Sequence, residues 1–67
     1  MLLAIDIGNT YIHCGLFKGN KLYRQWVVSK IAFIKQYKSV KAVVMSSVVP
    51  ELSPVVKIEF TIPVLEV

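Results

Sequence analysis

Residues 1–28, MLLAIDIGNTYIHCGLFKGNKLYRQWVV, decide how this chain folds. Residues 2–7 form a short apolar run interrupted by Asp6 and closed by Gly8, which reads as a strand running into a turn. Gly8-Asn9-Thr10 supplies the turn, because glycine tolerates positive φ and asparagine visits it more readily than most residues. Residues 11–17 follow as a second strand, with Ile12, Cys14 and Leu16 on one face and Tyr11, His13, Gly15 and Phe17 on the other. Both faces are fairly apolar, so the strand is expected to be covered on both sides. Gly19-Asn20, between two strand-like runs, is a hairpin signal. Residues 22–28 then make a third strand with Trp26 as its large anchor. The segment is thus expected to be a three-stranded antiparallel meander.

Beyond the meander, Ser29 can cap a helix over residues 30–38, where Ile31 and Ile34, and Phe33 and Tyr37, fall at helical spacing. Residues 41–49 read as a buried strand, in which Ala42 to Met45 run without a polar residue into a pair of serines, Ser46 and Ser47. After a helix, such a run suits a parallel strand packed on both faces. Pro50 ends it. Residues 51–57 are expected to be a loop or a helical turn, with Pro54 confined to a first turn. Residues 61–67 read as a further strand, and Pro63 points to a sheet edge or a strand start. The order of elements predicts an α/β unit with a mixed sheet.

Composition narrows the setting. With 67 residues the chain holds one small domain at most, and a unit of this size is often marginal without a disulfide, a metal or a partner. Apolar residues make up 55% of the sequence, above the usual globular share, so part of the surface is expected to meet more chain or a second subunit. The single cysteine, Cys14, rules out a disulfide within the chain and argues against a cysteine-based zinc site. A reducing, cytoplasmic setting fits best. No apolar stretch approaches the roughly 20 residues of a membrane span. The net charge of +4 comes from bases scattered along the chain, which favours anionic ligands without naming one.

Asp6-Ile7-Gly8-Asn9-Thr10 carries the chemistry. A carboxylate at the end of a buried strand is followed at once by a tight glycine-containing turn. The turn's N–H groups can converge on a phosphate, and Gly8 removes the side chain that would keep the phosphate away. Asn9 and Thr10 add side-chain donors. Asp6 would hold magnesium through water, since this ion keeps much of its hydration shell. The same residues are also good hairpin chemistry with a local Asp hydrogen bond. His13 reads as a strand histidine, and Cys14 as a small core residue with nothing beside it to lower its pKa. As a nucleophile Ser46 or Ser47 would need a histidine base, for which His13 is the only candidate, and no elbow glycines flank the pair, which reads as a strand end facing a turn or a ligand cleft.

MLLAIDIGNT followed by YIHCGLF resembles the opening of type III pantothenate kinases, members of the sugar kinase, Hsp70 and actin superfamily. Residues 43–52, VVMSSVVPEL, resemble a second block of that family, and Gln25-Trp26 with Val28-Ser29 fits its third strand. The resemblance implies a ribonuclease H-like fold, with residues 1–67 as a single partial domain: the first phosphate-binding subdomain of an actin-like ATPase. It implies an ATP-binding segment of Asp6, Ile7, Gly8, Asn9, Thr10, Tyr11, Ile12 and His13, with Asp6 at the metal. It further implies magnesium, a monovalent cation (potassium or ammonium), pantothenate as substrate and a homodimer. Tyr11 departs from the family pattern, in which a small polar residue is frequent there. So does the length: family members are several times longer, and their catalytic aspartate and second phosphate motif have no counterpart in residues 1–67. The chain therefore resembles only the amino-terminal piece of the family and is expected to supply no catalytic base.

Two other readings compete with an active kinase part. One is a truncated remnant without turnover. The other is a regulatory or nucleic-acid-binding module, which the positive charge favours and the lack of a helix-turn-helix pattern or of a basic stripe with interleaved aromatics disfavours.

Overall fold

The computed structural model describes residues 1–29 and 40–67. The described residues form a small α/β unit: β1 (Leu2–Ile7), β2 (Ile12–Lys18), β3 (Lys21–Val28), β4 (Ala42–Ser47), a 3-10 turn (Pro50–Leu52), helix α1 (Ser53–Glu59) and β5 (Val64–Glu66). The five strands make one sheet in the order β3-β2-β1-β4-β5. β1 pairs antiparallel with β2 and parallel with β4. β2 pairs antiparallel with β3, and β4 parallel with β5, so the expected mixed sheet and meander are both present. The helix expected over residues 30–38 lies outside the described residues.

The hairpin chemistry works differently at the two turns. Lys18 pairs with Lys21, leaving Gly19-Asn20 as a two-residue connection, and Gly19 sits at φ 63°. Glycine at the first central position meets the demand of a type II′ turn. The Gly8 turn does not use that freedom: no residue of it enters the positive-φ region, contrary to the expectation from its sequence. Gly8 is needed there for room. A Cβ on it would lie 3.1 Å from the Tyr11 carbonyl oxygen, which accepts the Gly8 N–H at 3.0 Å.

Residues 51–57 are more helical than expected. Pro54 falls in the first turn of α1, where its missing N–H has no helical partner to lose, and the helix runs on to Glu59. α1 closes a β4-α1-β5 crossover and lays Val56 and the following Phe60 on the sheet. Lys57 on α1 meets Glu66 on β5 at 2.8 Å, which holds the Glu66 carboxyl below its usual range. Both side chains are open to solvent, so screening leaves the pair little weight in stability.

Alternation along the strands sends one set of side chains into a single core. Leu3, Ile5 and Ile7 of β1, Ile12, Cys14 and Leu16 of β2, and Val43 and Met45 of β4 are buried with Val56 and Phe60. Trp26 and Val28 pack against this cluster from β3. The opposite face carries Ala4, Asp6, His13, Gly15, Val44 and Ser46, and every one of these is half-buried or exposed. Coverage of β2 and β4 on both faces, expected from their apolar composition, is therefore corrected among the described residues: these strands are buried on one face. Neither face of the sheet is polar enough to reveal this in the sequence.

The asymmetry can be measured. Leu3 is wholly buried, so Leu3→Ala should cost about 2–5 kcal/mol. That rivals the whole margin of a chain of this length, roughly 3–10 kcal/mol, and far-UV circular dichroism should report a largely unfolded protein. Leu65→Ala, at a residue 66% exposed, should stay within about 0.5 kcal/mol of the parent in urea titrations.

Candidate functional site

The carboxyl end of β1 is where side chains of functional interest collect. Because Leu3, Ile5 and Ile7 point into the core, Asp6 must point out of it, onto the open face. The register then sets its neighbours. Asp6 is opposite His13 on β2 and opposite Ser46 on β4, so His13, Asp6 and Ser46 form a row across three adjacent strands. The Ser46 hydroxyl donates to Asp6 Oδ1 at 2.9 Å across 40 residues of sequence. This row borders a shallow hollow of about 510 Å³ on the open face, whose floor includes Ala4, Gly15 and Val44.

The next serine has a different task. Ser47 Oγ donates to the Val49 carbonyl at 2.8 Å and accepts the Val49 N–H at 3.0 Å. It thereby pins the bend between β4 and the 3-10 turn. Val48 N–H extends the parallel ladder by donating to the Ile7 carbonyl at 3.0 Å. The sequence left the serine pair facing either a turn or a cleft, and the structure gives one serine to each.

The remaining residues of the expected binding segment divide among different surroundings. Gly8, Asn9, Thr10 and Ile12 line a second hollow of about 330 Å³, closed on the other side by Val49, Leu52 and Val55. Asn9 and Thr10 are exposed, and no backbone carbonyl among the described residues accepts from their N–H groups. The Gly8 N–H is occupied by Tyr11, as noted above. Ile7 and Ile12 are core residues by their side chains, at 0% and 4% exposure, and present only backbone to a ligand. Tyr11 is exposed and borders neither hollow. Asp6 and the Gly8 turn are thus neighbours in the chain but open onto two different hollows. Ser46 is the residue that sequence reasoning did not attach to Asp6, since only the parallel register of β1 and β4 joins them.

The donor set can be tested against a metal. No group of three or more His, Cys, Asp or Glu able to hold an ion occurs among the described residues. An all-protein cage for calcium or zinc is therefore not formed by them. One exposed carboxylate beside a hydroxyl fits a largely hydrated magnesium ion, which needs one or two carboxylates and a phosphate ligand. Cys14 contributes nothing to such a site. It is buried, and burial pushes its thiol up to about 11.

No family model matches the chain. The type III pantothenate kinase of Geobacter sulfurreducens is 36% identical to it over 74 aligned positions, which take in 85% of this chain and 29% of that protein. The chain thus spans less than a third of the length of this relative. Among the described residues no helix is long and apolar enough to cross a membrane.

The cysteine offers a check on this packing. With its thiol near 11 rather than the ordinary 9, Cys14 should hold about 100-fold less thiolate at pH 8 than an unfolded cysteine. Alkylation by iodoacetamide, followed by mass spectrometry, should be slower by at least that factor in buffer than in 8 M urea, on the order set by thiolate content.

Proposed function

We propose that this chain is the ATP phosphate-binding part of a type III pantothenate kinase, with the fold of an actin-like ATPase subdomain. The parent reaction would transfer the γ-phosphoryl group of ATP to the primary hydroxyl of pantothenate, the first step toward coenzyme A. The observation that carries this reading is the position of Asp6. It stands at the carboxyl end of the central strand, on the open face, directly before the turn that carries Gly8, Asn9 and Thr10. Partial identity to a pantothenate kinase supports the same reading, as does a meander continued by two parallel strands in the order β3-β2-β1-β4-β5.

In this reading Asn9 and Thr10 offer their N–H and side-chain donors to phosphate oxygens. Asp6 holds water molecules around magnesium. When bound, magnesium neutralises charge on the transferring phosphoryl group. Tyr11, Ile12 and His13 complete the segment, the first two mainly through backbone and shape. No catalytic base is assigned within residues 1–67, so in this reading general-base chemistry would have to come from outside these residues. A monovalent cation, potassium or ammonium, and a homodimer belong to the same proposal, and so does a cytoplasmic location.

Calorimetric titration of the purified chain with ATP tests the reading. Binding should require magnesium, and Asp6→Asn should weaken it at least about tenfold, equivalent to about 1.4 kcal/mol. A folded chain that ignores ATP is a remnant without a nucleotide site. Magnesium-independent affinity for nucleic acid that falls steeply with salt would instead support the basic-module reading.

A further inference from the structure

We propose that Ser46 is a positioning residue for the Asp6 carboxylate, fixing its rotamer so that Oδ2 is presented to the hydrated magnesium of a bound nucleotide; this rests on the function proposed above. The geometry is specific. Parallel pairing sets Ser46 beside Asp6, and both side chains lie on the open face. The hydroxyl engages Oδ1 alone, at 2.9 Å, and a donor to one oxygen leaves the acceptor capacity of the other intact. Serine has one short rotor, so holding the carboxylate in this way costs little side-chain entropy. The backbone ladder on either side keeps the two Cα positions in register without help from the side chains.

The row excludes a different role for the hydroxyl. Asp6 stands between Ser46 and His13, so no imidazole adjoins Ser46 to take its proton, as a serine nucleophile would need. Nor is Ser46 tying down its own turn, since the Val49 backbone groups are held by Ser47. Groups that orient a metal-binding carboxylate commonly matter tenfold or more to metal affinity without touching the ion.

Threonine and valine at position 46 have nearly the same shape, suit a strand equally well and differ in the hydroxyl. The test uses Ser46→Thr and Ser46→Val, each alone and combined with Asp6→Asn, with urea titrations to verify folding. The first readout needs no nucleotide: the three-bond Hα–Hβ couplings of Asp6 by NMR. They should show one dominant rotamer in the parent and in Ser46→Thr, and averaging in Ser46→Val. The second is the magnesium concentration at half-maximal ATP binding. It should rise about tenfold in Ser46→Val and stay near the parent value in Ser46→Thr. Adding Ser46→Val to Asp6→Asn should change nothing further. Unchanged couplings and midpoint in Ser46→Val, with Asp6→Asn still impaired, would overturn the positioning role and leave the nucleotide reading standing. A midpoint indifferent to Asp6→Asn as well would overturn both. An equal effect of Ser46→Val with and without Asp6→Asn would show that Ser46 acts independently of Asp6, against the proposal.

Discussion

Everything in this small unit depends on β1 having a neighbour on each edge. Its backbone is paired with β2 on one side and β4 on the other along its whole length. A strand satisfied on both edges is locked in register, and a slip by one residue would exchange its two faces. That lock has two consequences. Leu3, Ile5 and Ile7 are committed to the core, where they meet Val43, Met45 and Val56. Asp6 is committed to the other face at the strand's carboxyl end, beside residues contributed by two other strands. Core and site are thus two sides of the same alternation, and a change that disturbed one would disturb the other.

The connections impose a further division. The antiparallel side of the sheet is local: β1, β2 and β3 follow one another through short turns, and their pairing closes small loops. The parallel side is not, because β4 returns to β1 from 40 residues away. Short-range pairing costs little loop-closure entropy, so the meander is the natural seed of the fold, and the edge with β4 and β5 must be completed on it. The Ser46–Asp6 bond spans that later, longer-range edge. A site built across it forms only when the whole sheet has formed.

Much of this was legible in the sequence. Gly19-Asn20 between two alternating runs specified a hairpin, and the apolar run before Ser46 specified a buried strand after the meander. Asp6 before Gly8 marked the end of the first strand. What was not legible follows from physics at longer range. Gly8 was read as supplying both positive φ and room for a phosphate; its φ is not positive, and the room beside it is filled by the Tyr11 carbonyl. Pro54 was read as a limit on a helical turn, whereas a proline in the first turn leaves the rest of the helix intact. Apolar residues on both faces of β2 implied two-sided cover. Periodicity reports which side chains share a face and cannot report what lies against that face. The partnership of Asp6 with Ser46 has no local signature at all, since two residues 40 apart meet only through a parallel register.

The open face gives the last step of the synthesis. Around the polar row the face is lined by small or apolar residues, Ala4, Gly15, Val44 and the half-buried Phe17. A carboxylate on such a surface is in a mixed environment. Water reaches it from outside, the neighbouring hydroxyl donates to it, and His13 stands beside it on the next strand. That combination suits a weakly held, hydrated cation better than a dehydrated one, because the ion can keep its water shell while the protein supplies direction through one oriented oxygen. The division of labour between the serines fits the same logic. Ser47 spends its hydroxyl on backbone and fixes where β4 ends. Ser46, one residue earlier and on the other face, is left to face Asp6. The alternation that builds the core thereby also decides which of two chemically identical side chains binds backbone and which meets Asp6.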